Sequence, residues 1–140
     1  HRMYIEIIQN TNKDIKEGAV FNETGIIGHV VNNKSFYEVM LLTDTKSSIP
    51  LTNSKGDFYC NASGSGASDY ITCSYSQLVW LDNHELGEKF FSSGLGGIYP
   101  KGIEIGNLES IKIVDTSTTL LTIKLISNPL HSNLFGVIKL

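Results

Sequence analysis

The chain has 140 residues, of which 41% are hydrophobic and 18% are charged, and this fits one globular unit or two small lobes packed together. Its formal net charge is −3, so it lacks the basic excess with which proteins neutralise nucleic-acid phosphates. No apolar run in these residues approaches the roughly 18–20 residues that cross a bilayer, and we expect no signal peptide within them. Because the chain begins abruptly with "HRMYIEII", we expect it to be a soluble part of a longer protein.

Short β-rich segments dominate the pattern, and helical periodicity is weak. Gly, Asn, Asp and Ser separate these segments at the spacing that is typical of sandwiches and barrels. The stretch "SQLVWLDNHELGEK" at 76–89 is the one place where we expect a helical turn. The predicted strands, in chain order, are 3–8, 19–23, 25–31, 35–42, 48–53, 57–61, 70–75, 88–93, 103–106, 108–114, 120–126 and 134–140.

Alternation of apolar and polar residues predicts antiparallel sheets with one dry face and one wet face. In 120–126, Leu121, Ile123 and Leu125 share one side of the strand. In 108–114, Glu109, Ile111 and Ile113 share one side, and Leu108, Ser110, Lys112 and Val114 share the other. Glycine-rich sheets tend to curl and close, which also removes exposed edges. We therefore favour small closed barrels over a flat sandwich.

A glycine-rich stretch, "SSGLGGIYPKGIEIG" at 92–106, is the most distinctive segment of the chain. It is not a P-loop, because "IE" follows the glycine at 102 where a phosphate-binding loop has Lys and then Ser or Thr. A dinucleotide fingerprint is excluded because the parallel βαβ setting is absent. We therefore predict a structural loop in which glycines supply positive φ angles and tight bends. Its residues are Gly94, Gly96, Gly97, Pro100 and Gly102.

The apolar residues of the same stretch should be buried and should tie the loop to the core. They are Leu95, Ile98, Ile103 and Ile105.

Two segments of the chain carry a family resemblance. Residues 87–108, "GEKFFSSGLGGIYPKGIEIGNL", resemble the T-S-G-L-G-G-[IV]-[FY]-P-x-G element of the rod-shape-determining protein MreC family. Residues 18–51, which contain "LLTD", resemble the segment that precedes this element in the same family. Two residues and one segment depart from the family pattern. Ser92 stands where Thr is usual, Lys101 stands where a second Pro is common, and the segment 57–77 matches poorly.

The resemblance implies an all-β fold of two small, roughly six-stranded antiparallel β-barrels packed together, with few or no long helices. It implies a non-catalytic scaffold of the bacterial cell-elongation machinery that controls cell shape. Its partners would be a class B penicillin-binding transpeptidase and other MreC copies, with MreD and MreB bound through parts absent from this chain. The expected location is periplasmic, at the extracytoplasmic face of the inner membrane, with an N-terminal membrane helix outside this chain as the anchor.

A strand count suggests how two barrels would divide the chain. Residues 1–47 plus 115–140 would form a first, discontinuous barrel, and residues 48–114 would form a second barrel. This division requires the chain to leave the first lobe and return to it.

A double β-barrel also raises the alternative of a serine-type hydrolase, active or degenerate. His29, Asp44 and Ser93 occur in the chain order of the chymotrypsin-like triad. However, "SSGLGG" lacks the Asp of the usual nucleophile motif, and His29 lies within a predicted strand. We favour structural roles, with Asp44 as a turn residue that accepts hydrogen bonds from nearby backbone amides.

Other chemical sites have weaker support. Asp82, Glu85 and Glu88 cluster in "LDNHELGEK", but nothing indicates a cleft that would hold a sugar between two carboxyl groups. The four histidines are scattered without metal-ligand spacing, so we predict neither a metal nor a cofactor. A barrel that binds peptidoglycan glycan is a third hypothesis.

The two cysteines, Cys60 and Cys73, face each other if 57–61 and 70–75 form a hairpin around Gly66-Ala67. The same register would place Phe58 against Tyr75. A disulfide is feasible in an oxidising periplasm, but a cross-strand bond of this kind carries strain, and we favour two reduced, buried thiols.

Aromatic residues are the candidates for contact with a partner, because clustered exposed rings on a barrel can anchor another protein. Tyr59, Tyr75 and Trp80 lie in or near the part of the chain that the family pattern explains least. We predict these three as partner-binding residues.

Overall fold

The computed structural model describes residues 2–6, 18–33, 36–76, 84–131 and 134–138. Within these ranges the chain is all-β, and no helix is long and apolar enough to span a bilayer. The described strands are β1 Arg2–Glu6, β2 Ala19–Asn22, β3 Gly25–Asn33, β4 Phe36–Leu41, β5 Ser48–Asn53, β6 Tyr59–Gly64, β7 Tyr70–Ser76, β8 Lys89–Ser92, β9 Glu104–Ile113, β10 Thr118–Leu125 and β11 Gly136–Ile138.

The strands form two lobes, and all the described strand pairs within each lobe are antiparallel. Six strands make a closed barrel in the order β10-β7-β6-β5-β8-β9, while the other five make a sheet in the order β1-β4-β3-β2-β11. The all-β prediction is confirmed, as is a closed six-stranded barrel. Among the described residues, the first lobe is an open five-stranded sheet, and the helical turn expected within 76–89 falls largely outside them.

The predicted division of the chain is wrong in one strand. We expected residues 115–140 to belong to the first lobe, but β10 pairs with β7 and β9 and thereby closes the barrel. Leu121 and Ile123 are fully buried there, so this strand supplies core residues to the barrel. Of the described strands after β9, β11 is the one that returns to the first lobe, where Val137 pairs with Val20 of β2.

The far half of β9 also differs from its predicted pattern. Leu108 is buried, but residues 109–113 are all exposed, so neither side of this half of the strand is the dry face that the alternation predicted. Among the described residues, β8 pairs with β9 only up to Asn107, and beyond Asn107 the partner of β9 is β10. The end of this hairpin therefore extends past the closed part of the barrel.

Strands β2 and β3 of the five-stranded sheet carry buried residues on both faces, because successive side chains point into two different hydrophobic clusters. On one face, Ala19 and Ile26 join the core of the barrel. On the other face, Val20, Ile27 and Val39 form a separate cluster. The two lobes consequently share one continuous core across the inner face of the sheet.

Polar contacts hold the chain where it passes between the lobes. After β4, Asp44 Oδ1 accepts a hydrogen bond from the amide of Lys46 at 2.8 Å, which confirms the predicted turn role of Asp44. After β10, the amide of Asn128 donates to Thr24 Oγ1 at 2.8 Å, and Asn22 Nδ2 donates to the carbonyl of Asn128 at 2.7 Å. Both crossings are therefore fixed by side chains.

Cys60 and Cys73 form a disulfide, with 6.2 Å between their Cα atoms, so the preference for reduced thiols is wrong. The predicted register is also wrong, because Ser63 pairs with Thr72 and Gly64 with Ile71. In that register Cys60 and Cys73 are not directly opposite each other. The disulfide therefore joins β6 and β7 diagonally. The contact expected between Phe58 and Tyr75 does form, with ring centroids 5.1 Å apart.

Loss of the disulfide should destabilise the barrel measurably. Cross-linking a loop of this length lowers the entropy of the unfolded chain and so raises the free energy of unfolding by about 3 kcal/mol. The Cys60→Ser, Cys73→Ser double variant should therefore have an unfolding free energy lower by about that amount, with a urea midpoint at lower concentration. The reduced wild type serves as the control and should match the variant. The same midpoint in oxidised wild type and variant would contradict the prediction, as would free thiols in the unfolded, unreduced wild type.

Candidate functional site

The glycine loop, residues 93–103, connects β8 to β9 in the barrel wall. At Gly94, φ is 82° and an added Cβ would lie 2.8 Å from Lys101 Cβ, so a side chain is excluded by conformation and by space. Gly97 has a φ of 72°. Positive φ angles, as expected, also occur at Gly96 and Gly102.

Ser92, which is fully buried at the start of the loop, holds the loop closed. Its amide donates to the carbonyl of Ile103, and its own carbonyl accepts from the amide of Gly102, both at 2.8 Å. Its hydroxyl accepts a hydrogen bond from the amide of Ile103 at 3.0 Å and donates to the carbonyl of Pro100. Ser and Thr both carry this hydroxyl, which explains why Ser can stand where the family usually has Thr.

The residue that anchors the loop is not the one we expected. Leu95 is 58% exposed and Ile103 is 38% exposed, whereas Tyr99 is only 2% exposed. Ile105 is buried as predicted, and Ile98 packs partly against the same cluster. Leu95 and Ile103 were therefore wrong as core residues, and the aromatic side chain before the proline takes their place.

Tyr99 joins the two lobes. Its hydroxyl lies 2.9 Å from Nδ1 of His29, on β3 of the five-stranded sheet, and the two rings meet edge to face with centroids 5.8 Å apart. Burial raises the pKa of the Tyr99 phenol above its ordinary value of 10.0, so the group is neutral over the physiological range. The sequence showed His29 and Tyr99 separately but gave no signal of their contact.

The residues of the alternative catalytic triad have structural contacts instead. Nδ1 of His29 contacts Tyr99, Oδ1 of Asp44 accepts from the amide of Lys46, and Oγ of Ser93 accepts from a backbone amide of the glycine loop. Ser93 is also only 7% exposed. None of these described contacts makes the Ser–His–Asp arrangement that nucleophilic catalysis requires.

A cleft of about 330 Å³ lies where the lobes meet, but it does not contain the triad residues. Its walls are largely apolar, with Ile27, Leu42 and Leu125 among them, and Asp69 is the carboxylate in its lining. A single carboxylate in an apolar cleft does not supply the paired acid and base of glycan hydrolysis.

The predicted acidic cluster is divided by the structure. Asp82 lies outside the described residues. Glu88 Oε2 lies 2.7 Å from Nδ1 of the buried His84, which packs against the ring of Phe58. No group of three or more metal-ligating side chains occurs among the described residues.

The three aromatic residues predicted to bind a partner have different positions. Tyr59, at the start of β6, is 42% exposed and can present its ring to another molecule. Tyr75 is 6% exposed and packs on Phe58 inside the barrel. Trp80 lies outside the described residues.

The fold, the glycine loop and the contact between the lobes can be compared with known proteins. The model of the family described as rod shape-determining protein MreC, barrel core, matches residues 2–139. The chain belongs to the MreC family. The resemblance read from the glycine loop and the "LLTD" segment is thus confirmed.

Individual MreC proteins agree with the family match. The cell shape-determining protein MreC of Haemophilus influenzae is 31% identical over 112 residues, which cover 76% of this chain and 31% of that protein. The chain therefore spans about a third of the length of this relative.

Solved structures share the fold. A structure titled as the major periplasmic domain from the cell shape-determining filament MreC has a TM-score of 0.70 at 19% identity, covering 99% of this chain and 98% of that one. The complex between penicillin-binding protein (PBP2) and MreC from Helicobacter pylori gives 0.69 at 16% identity, with 99% and 98% covered.

Removing the Ser92 hydroxyl should loosen the glycine loop. The Ser92→Ala variant leaves the amide of Ile103 without its acceptor, which should cost about 1 kcal/mol of unfolding free energy in urea titrations. The Ser92→Thr variant keeps the hydroxyl and should lose much less. Equal losses in the two variants would show that the hydroxyl is not the stabilising group.

The buried Tyr99 phenol should make stability fall at alkaline pH. Its folded pKa is raised above the unfolded value of 10.0, so its contribution is complete below about pH 10 and declines as the unfolded chain ionises. Between pH 9 and 11 the wild type should lose about 1.4 kcal/mol more than Tyr99→Phe, which lacks the ionising group. Parallel pH profiles of the two proteins in urea unfolding would contradict this expectation.

Proposed function

We propose that this chain is a non-catalytic scaffold of the bacterial cell-elongation machinery, which supports peptidoglycan synthesis and cell shape through protein–protein contacts. Its partners are a class B penicillin-binding transpeptidase and further copies of itself. The observation that carries the proposal is the fold that the chain shares, over 99% of its length, with an MreC solved in complex with PBP2. The proposed location is the extracytoplasmic face of the inner membrane, with the anchor and any contacts to MreD and MreB outside this chain.

The roles of the polar residues support a scaffold over an enzyme. The buried hydroxyl of Ser92 closes a loop, and the half-buried ring of His29 contacts the other lobe. Asp44, whose side chain is 10% exposed, forms an ion pair with Arg2 at 3.1 Å in addition to its turn contact. The groups that could do chemistry are thus used to fix the arrangement of the lobes, which suits a protein that presents a rigid surface.

Tyr59 is the aromatic residue best placed to contact the transpeptidase. It pairs with Thr52 of β5 in the barrel wall, so a rigid strand holds its exposed ring. Exposed Tyr and Trp side chains bury much area at a small entropic cost, which is why they are enriched among binding hot spots. Trp80 remains a candidate contact residue on the basis of the sequence alone. The buried Tyr75 would instead support the barrel wall from inside.

Truncation of Tyr59 should weaken transpeptidase binding. In surface plasmon resonance with the purified cognate transpeptidase, Tyr59→Ala should raise Kd by about tenfold, because a contact residue of this type contributes more than about 1 kcal/mol. Phe36→Ala is the matched control: its ring is 45% exposed but lies in the other lobe, and binding should be unchanged.

Two results would count against the proposal. Unchanged affinity in both Tyr59→Ala and Trp80→Ala would remove these residues from the interface. Wild-type protein that fails to bind the transpeptidase, but is retained on purified peptidoglycan glycan, would favour the glycan-binding hypothesis instead.

A further inference from the structure

Strand β1 lies at the edge of the five-stranded sheet. Its five residues pair with β4, from Arg2 opposite Met40 to Glu6 opposite Phe36. Among the described residues, no strand pairs with the other side of β1. An edge of this kind presents backbone amides and carbonyls that can pair with a further strand.

Exposed aromatic rings surround the centre of this edge. Tyr4 is 60% exposed and Phe36 is 45% exposed, and their rings meet edge to face with centroids 5.4 Å apart. The Tyr4 hydroxyl donates to Glu38 Oε1 at 3.2 Å, which orients the ring along the edge. The edge therefore has a preformed apolar centre.

The sequence of β1 is complementary to itself when two copies run antiparallel. The strand reads "RMYIE", with a basic residue at one end, Tyr4 at the centre and an acidic residue at the other end. Pairing about Tyr4 puts Arg2 of each copy opposite Glu6 of the other, and Tyr4 opposite Tyr4. Opposite charges and aromatic residues at directly facing positions both favour antiparallel pairing.

We propose that two copies of this chain associate through their β1 strands, which pair antiparallel about a two-fold axis at Tyr4. The two sheets then form one continuous sheet, and each copy contributes the same surface, as a closed two-fold dimer requires. Shifting the register by one residue would set Arg2 opposite an apolar residue and would turn the side chains to the wrong faces. The inference rests on the self-association included in the proposed function and identifies its surface.

Cysteine cross-linking tests the two-fold axis directly. In the Tyr4→Cys variant the two introduced sulfurs face each other across the axis, at the separation that facing residues of paired strands have and that a disulfide can bridge. The matched control is Met40→Cys, on strand β4 opposite Arg2, which keeps the contacts of Glu38 with Tyr4 and Arg2. Its two copies would be separated by at least three strand spacings, about 14 Å, which a disulfide cannot bridge.

Under mild oxidation, the Tyr4→Cys protein should form a covalent dimer at least tenfold faster than the control. The native cysteines are already joined to each other and should not contribute. Equal rates in the two variants, or a Tyr4→Cys protein that stays monomeric, would overturn the proposal.

Charge changes at Glu6 give an independent test that keeps the Arg2 contacts with Asp44 and Glu38. In sedimentation equilibrium, Glu6→Gln should weaken the dimer modestly and Glu6→Arg by about tenfold or more, because two like-charged pairs replace two opposite ones. The difference should shrink at high salt. Unchanged association in Glu6→Arg with an unchanged thermal midpoint would overturn the proposed register.

The transpeptidase assay separates this inference from the proposed function. If wild type self-associates but Glu6→Arg associates equally well, the β1 surface is wrong while self-association stands. If wild type is monomeric at every concentration tested but binds the transpeptidase, the dimer proposal fails and the scaffold proposal survives. Dimer loss in Glu6→Arg with unchanged transpeptidase binding supports both.

Discussion

The arrangement of the two lobes depends on the contact between Tyr99 and His29. Tyr99 can reach the five-stranded sheet only because the glycine loop turns back sharply, and the loop keeps that shape because the buried hydroxyl of Ser92 satisfies both an amide and a carbonyl within it. Loop closure, phenol burial and lobe contact are therefore one connected set of interactions. A substitution at any of these contacts should alter the packing at the junction of the lobes first.

This dependence also gives the glycines and hydroxyl groups of the loop a structural role. Positive φ angles at Gly94 and Gly97 shape the backbone, and the neighbouring serines are occupied by backbone partners. The proposed scaffold needs a constant geometry between the surfaces that it presents. The hydrogen bonds of Ser92, Ser93 and His29 contribute to that geometry.

Local physical rules were sufficient to predict much of the fold from the sequence. Alternation placed Leu121 and Ile123 correctly in a buried strand face, and the failure of "IE" to continue a P-loop identified the glycine loop as structural. The errors arose where distant parts of the chain decide the outcome. β10 pairs with β7 and β9 rather than with the first lobe, Leu95 is exposed while Tyr99 occupies the interior, and β6 and β7 pair in a register in which the disulfide joins Cys60 and Cys73 diagonally. The contact between His29 and Tyr99 joins positions far apart in the chain, and no periodicity carries that information.

The cross-link between β6 and β7 has a consequence for when the barrel becomes mature. A bond of this kind forms only where oxidants act on thiols, and reducing compartments keep the two sulfurs apart. With the proposed extracytoplasmic location, molecules still in the cytosol would possess a weaker barrel than exported ones, so that full rigidity would be acquired only after export. The covalent bond would in this way tie the strength of the scaffold to its arrival outside the membrane.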